Sequence, residues 1–228
     1  HDLEKFRFND ILHFESAEMR GLALSYTEWN DADSCYGTAV AVLPIDADIE
    51  RIEAVEARPE DWQIVFRTQP CLPLKHVSRA IEAHMAGGRL AFRPPDRLTL
   101  ASGDYGWDGT TAPEALARLP DNDYGKVIEI ELATGTTRQR SLGHRNIQGI
   151  AFDASGDLWV VEHGGRGGDE LNRIVDGADY GWPQETLGTR YSGLPFANTL
   201  SYGRHDVGRP PVHALSLRHI SEPTRHQC

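Results

Sequence analysis

The stretch Asn146–Asn172, NIQGIAFDASGDLWVVEHGGRGGDELN, passes from two short β-like runs into a loop of glycines, one arginine and two acids. Gly164, Gly165, Gly167 and Gly168 surround Arg166, and Asp169 and Glu170 follow directly. Glycine lets the backbone turn its carbonyls outward and lets a ligand come close. Hard cations such as calcium take carbonyl and carboxylate oxygens, so this loop carries suitable donors. It is not a phosphate loop, because it lacks the G-K-[ST] ending and no helix is expected behind it. It also lacks the alternating acids of an EF-hand. A flexible turn with solvated charges is the plainer alternative.

Two further places have chemical potential. His84 stands in a loop ahead of a glycine pair and a strand, and a histidine there could act as a general base. With ten histidines in the chain, an ordinary surface role is the competing reading. GHRN, residues 143–146, sets the fixed cation of Arg145 beside the amide of Asn146, just ahead of another strand. Arg offers a planar fork for carboxylate or quinone oxygens, and Asn adds a donor and an acceptor. A structural ion pair with one of the 34 acids is the alternative for Arg145.

The elements that must position these residues read as strands. GLALSYTEW (21–29) and GTAVAVLPID (37–46) form a hairpin signal around NDADSCY. WQIVFRT (62–68), RLAFRPPDRLTLASGD (89–104) and KVIEIELATG (126–135) continue the pattern. In the last, Glu129 and Glu131 are expected on one face and the apolar residues on the other, as in a half-buried strand. APEALARL (112–119) is the best short helix, with a turn or two of helix also expected before Pro59.

An internal repeat links the candidate sites. The run from His84 aligns without gaps on the run from His144, at an offset of 60, so that Phe92 meets Phe152 and Leu98 meets Leu158. Strand-bearing self-similarity at a fixed period suggests propeller blades, against chance likeness between two hairpins. At that period the chain holds about four units. It is then either a four-bladed ring or part of a larger one.

Composition narrows the partners. The chain has 228 residues, 39% apolar and 25% charged, with a formal net charge of -11. That balance suits a soluble globular protein and argues against nucleic acid, which wants a basic footprint. No stretch approaches 18 apolar residues, so no membrane span is expected. The chain begins at His1 without a visible signal peptide, which reads as a processed product or a fragment. The three cysteines form no C-x-x-C pair. Cys35 and Cys71 are open between a disulfide and two buried thiols.

The run Gly143–Pro183 closely resembles the soluble aldose dehydrogenases that use pyrroloquinoline quinone (PQQ), the glucose/sorbosone dehydrogenase family. The matching motifs are G-H-R-N-x-Q-G, E-H-G-x-R-G-G-D-E-x-N and Y-G-W-P, in order. HMAGGRLAF, LASGD and YGKVIEIELATG look like preceding parts of the same pattern, and coverage runs from about Gly21 to about Gly203. The resemblance implies an all-β, six-bladed propeller, of which residues 1–203 would form a part. Residues 204–228 would be an atypical tail, disordered or out of frame, and basic family residues of later blades are missing.

The same resemblance implies roles. His84 matches the catalytic base that takes the proton of a sugar's anomeric hydroxyl as hydride passes to the quinone. Arg145 and Asn146 match the pair that contacts PQQ, while His163, Asp169 and Tyr191 match cofactor-proximal places. The carbonyls of Gly164 and Gly165 match the calcium site beside the quinone, and Glu170 and Tyr180 a further calcium site. Asp104 falls near the substrate pocket. Most members have Pro where Gly165 stands. A periplasmic or secreted aldose dehydrogenase working with an external electron acceptor is the implied function. A calcium-binding remnant without activity and a calcium-dependent sugar lactonase are the alternatives.

Overall fold

The structure, a computed structural model, describes residues 6–46, 55–74, 83–196, 201–202 and 208–215. Strands dominate it. The first sheet is antiparallel, in the order β1 (Phe8–Glu15), β2 (Arg20–Asn30), β3 (Cys35–Pro44) and β4 (Gln63–Arg67), with β5 (Leu72–Pro73) paired to the start of β3. The second holds β6 (Gly87–Arg93), β7 (Arg97–Ser102), β8 (Lys126–Glu131) and β9 (Thr137–Leu142) in chain order. The third holds β10 (Ile147–Phe152), β11 (Leu158–Glu162) and β12 (Asp169–Arg173). Three short pieces follow: β13 (Ala178–Asp179) runs parallel to β9, and β14 (Glu185–Thr186) pairs with β15 (Ser201–Tyr202). Finally β16 (His213–Leu215) returns to β12 and completes the third sheet.

The three larger sheets each hold four antiparallel strands in a row, with β5 and β13 added as fifth strands to the first two, and the leading strand β6 packs beside both β1 and β10. That is blade architecture. Three such sheets are formed among the described residues. The third sheet takes its outer strand from His213–Leu215. Of the expected tail, 204–207 and 216–228 lie outside the described residues.

Apolar side chains fill the space between blades. Phe14, Val40 and Val42 of the first meet Leu90, Leu98, Leu100, Ile128 and Ile130 of the second. Ala101 and Val127 of the second meet Ile147, Leu158 and Val160 of the third. Burial from both sides explains why β8 is not half-exposed as its alternation suggests. Glu129 is buried, and Arg138 lies 3.2 Å from its carboxylate. A buried acid needs such a partner.

The expected helix at 112–119 is only a 3-10 turn, Leu116–Arg118. Its backbone groups are claimed by tertiary partners. The Leu116 N–H donates to Trp107 O, and the buried Lys126 ammonium donates to the carbonyls of Leu116, Ala117 and Tyr124 at 2.6–3.0 Å. Before β4, a 3-10 turn spans Pro59–Asp61, and much of the other expected helix lies outside the described residues. Cys35 and Cys71 form a disulfide that pins the β5 region to β3.

Candidate functional site

In an antiparallel meander, the segment entering the first strand and the loop joining the second to the third lie at the same end. Four segments meet there by that rule: His84 ahead of β6, Gly103–Gly125 between β7 and β8, Gly143–Asn146 ahead of β10, and His163–Gly168 between β11 and β12.

Asn146 joins two blades. Its Nδ2 donates to the main-chain oxygen of His84 at 3.1 Å, and its Oδ1 accepts from the Gly87 N–H at 3.1 Å and from Gln148 Nε2 at 2.8 Å. The His84 imidazole is exposed and borders a cavity of about 140 Å³ lined also by Arg7, Asn9, Arg89 and Gln148.

Arg145 reaches the other way. Its Nη1 donates to Gly164 O at 2.6 Å and His163 O at 3.2 Å, and its guanidinium lies 5.2 Å over the Trp182 ring. A cation over an indole face is attracted by the ring quadrupole. The Arg145 Nε–H is buried without a partner, as are Arg89 Nε and Asn9 Nδ2.

The glycine loop is tight because other backbone presses on it. A Cβ at Gly164 would stand 1.8 Å from Gly168 O, and Gly167 has φ +78°, a conformation that side chains disfavour. At Gly165, a Cβ would stand 2.3 Å from Thr189 O, which explains why this chain has Gly where the resembling family mostly has Pro. Arg166 and Thr189 exchange two backbone hydrogen bonds that hold the neighbouring loop in place. Gly164 O accepts from Arg145 and Gly165 O from the Gly168 N–H, so neither is in strand pairing and each keeps a second lone pair.

His163 is exposed, with Nδ1 3.5 Å from Asp169 Oδ2, and Asp169 Oδ1 accepts from the Gly164 N–H. Glu170 and Tyr180 border a cavity of about 10 Å³ together with Glu162, Glu185 and Gly164. The Tyr180 hydroxyl is committed elsewhere: it donates to Arg173 O and accepts from the Val175 N–H. Among the described residues, no three His, Cys, Asp or Glu side chains are grouped to hold a metal. Tyr191 is 76% exposed, within a turn closed by hydrogen bonds between Arg190 and both Gly193 and Leu194.

Asp104 sits deeper than its motif suggests. It is fully buried, accepts from Trp182 Nε1 at 2.7 Å and from the Gly106 N–H at 2.8 Å, and its own N–H donates to Arg145 O. Its carboxylate therefore meets the site through Trp182, under the Arg145 guanidinium. Burial, reinforced by nearby Asp108 and opposed by Arg145, pushes its carboxyl up to about 7.

Sequence reasoning missed a second buried group, His144 with Glu162. The Glu162 carboxylate accepts from His144 Nδ1 (2.9 Å), the Arg145 N–H (2.9 Å) and Asn172 Nδ2 (3.0 Å). Burial pushes this carboxyl up, but His144 and the other donors outweigh it and hold it below the usual range. The signal was present, since both residues lie inside the GHRN and EHG runs. Trp182, within Y-G-W-P, was likewise quoted but given no role.

The arrangement is one of propeller-type sheets with their polar loops gathered at one end of the strands. The model of the family described as Glucose / Sorbosone dehydrogenase matches residues 10–215, and the chain belongs to that family. Aldose sugar dehydrogenase YliI of Escherichia coli (strain K12) is 33% identical over 194 residues, covering 81% of this chain and 47% of that protein. Quinoprotein glucose dehydrogenase B of Acinetobacter calcoaceticus is 31% identical over 135 residues, covering 49% of this chain and 28% of that protein. The solved apo-form structure of the soluble aldose sugar dehydrogenase from Escherichia coli superimposes with a TM-score of 0.69 at 29% identity, over 92% of this chain and 58% of that one. The chain spans about half the length of the Escherichia coli relative.

Proposed function

We propose that this chain carries the cofactor-facing part of a quinone-dependent aldose dehydrogenase, which oxidises the anomeric hydroxyl of a sugar to a lactone. One observation carries the reading: Arg145 and Asn146, neighbours in sequence, tie the His84 loop on one side to the Gly164 turn on the other. The relative named a quinoprotein supports PQQ as the cofactor.

The residues present fit an anionic planar group. Arg145 has an unpartnered Nε–H, and Arg89 and Asn9 have unpartnered donors beside the His84 cavity. A buried donor without a partner is costly, and a ligand acceptor would relieve it. The oxygen donors at Gly164 and Gly165 suit calcium by type, with Arg145 sharing the Gly164 oxygen. Glu170 and the main chain of Tyr180 would hold a further calcium, since the Tyr180 hydroxyl is occupied.

When bound, the quinone with its calcium supplies the hydride acceptor, made more electrophilic by the metal. His84 accepts the hydroxyl proton on its imidazole, which must be neutral to do so. Arg145 stabilises negative charge developing on the cofactor oxygens. Asn146 fixes the His84 main chain, His163 and Asp169 stand beside the Gly164 turn, and the exposed Tyr191 ring would close on the cofactor from its own loop. Asp104 acts from below, through Trp182. An external electron acceptor and a periplasmic or secreted location complete the reading. The Cys35–Cys71 disulfide supports an oxidising compartment.

The test mixes the chain with calcium and PQQ and follows dye reduction by glucose. Reduction that requires the quinone supports the proposal. Lactone hydrolysis without quinone would favour a lactonase. Calcium binding alone would favour an inactive remnant.

A further inference from the structure

We propose that Glu162 is a positioning residue for the cofactor site, a role that rests on the quinone-dependent reading. Its carboxylate holds the loop ahead of β10 against the end of β11 and so sets where Arg145 and the Gly164 carbonyl point.

The contacts form a closed clasp. Glu162 accepts from the Arg145 main chain, and the Arg145 side chain returns to His163 and Gly164, the two residues that follow Glu162. Neither loop can shift without breaking one half of the clasp. The second Glu162 oxygen takes the His144 imidazole. An ionised carboxylate only accepts, so His144 Nδ1 carries a proton toward it, and Nε2 is hydrogen-bonded to Ser141 Oγ at 2.8 Å. The His144 ring also stacks on Tyr180 at 4.6 Å, which fixes its plane.

Ser141, His144 and Glu162 follow the order of a nucleophile, a base and an orienting acid. They do not form a hydrolytic site. Ser141 is 1% exposed and His144 fully buried, and the cavity beside Glu162, about 10 Å³, admits no more than a water. The network therefore acts on the site through Arg145, whose N–H and guanidinium it aligns.

The position needs a carboxylate. Two sets of donors face it, the His144 Nδ1–H and Asn172 Nδ2 on one oxygen and the Arg145 N–H on the other. The amide of a glutamine would turn its NH2 toward one of them and lose that bond. A glutamine thus keeps an acceptor for one set only, which unties His144 from Arg145 while volume is unchanged.

The experiment compares Glu162→Gln with Ser141→Ala, which removes a buried hydrogen bond from the same network but leaves the clasp. Two readouts are taken: PQQ affinity in the presence of calcium, by absorbance titration, and hydrogen exchange of the Arg145 amide without ligand. Glu162→Gln is expected to weaken PQQ binding tenfold or more and to speed Arg145 exchange at least tenfold. Ser141→Ala is expected to move neither by more than about twofold, whatever it does to the unfolding midpoint. Equal losses in both variants would show a merely structural network and overturn the proposal. So would wild-type affinity and exchange in Glu162→Gln. If the unaltered chain binds no PQQ, the functional reading fails, and the Arg145 amide still decides whether the clasp exists.

Discussion

The Asn146 side chain holds the main-chain oxygen of His84, at 3.1 Å, and leaves the imidazole out of the bond. The His84 side chain can therefore be removed without loosening the link between the second and third blades. His84→Ala is expected to lower sugar-dependent dye reduction by about 10²- to 10⁴-fold, the usual contribution of a positioned base. PQQ binding and the unfolding midpoint should stay near those of the unaltered chain. Activity of the unaltered enzyme should also fall at acid pH, where the imidazole is protonated. Full turnover in His84→Ala, measured at saturating PQQ, would remove His84 from the proton step.

Much of this arrangement was legible in the sequence because local rules govern it. The offset of 60 marks the leading hairpins of the second and third blades, β6–β7 and β10–β11. The strands at 21–29 and 37–46 pair as a hairpin, as their alternation and the turn between them imply. What was not legible depends on contacts far apart in the chain. The 112–119 segment has helical pattern, yet its carbonyls serve Lys126. His84 and His144 are repeat partners, yet one is exposed and the other fully buried against Glu162. Burial of Asp104 beneath Trp182, 78 residues away, leaves no local trace.

Arg145 makes two kinds of contact at once, to two carbonyls and to one indole face, and keeps a buried Nε–H without a partner. Lysine can supply the charge but not the planar fork. Arg145→Lys is expected to weaken PQQ binding by about 10- to 100-fold, equivalent to about 1.4–2.7 kcal/mol. The same change releases the Gly164 oxygen from a bonded cation, so calcium affinity without PQQ should hold or rise. Calorimetric titration of each ligand separately checks both directions.

The Cys35–Cys71 disulfide closes a loop with a sequence separation of 36. By the chain-entropy relation, a loop of that size is worth about 4 kcal/mol, from restricting the unfolded chain. Replacing both cysteines by serine is expected to lower stability by about 2–4 kcal/mol, read from denaturant unfolding. The tie lies in the first blade, between β3 and β5, away from Arg145 and Asn146. PQQ affinity at temperatures well below the unfolding midpoint should therefore change little.

Asp104 gives the chain a pH dependence whose sign can be stated in advance. Its folded carboxyl is raised from 3.8 to about 7, by burial first and by Asp108 second. The fold prefers the neutral acid, so the stability tied to this group is whole below about pH 4 and is lost as pH rises through about 7. A shift of roughly three pH units corresponds to on the order of 4 kcal/mol. Lys126 works in the opposite sense over a higher range. Burial lowers its ammonium to about 7, against the pull of Asp123, Asp179 and Asp104, so its contribution grows as pH rises from 7 toward 10. Comparing Asp104→Asn with the unaltered chain isolates the first effect. Asparagine still accepts from Trp182 Nε1 but cannot ionise, and its misfit at the Gly106 N–H adds a cost independent of pH. Relative to the unaltered chain, Asp104→Asn should gain stability steadily between pH 4 and pH 8. A difference in unfolding free energy that stays flat across that range would mean that Asp104 titrates as an ordinary carboxylate.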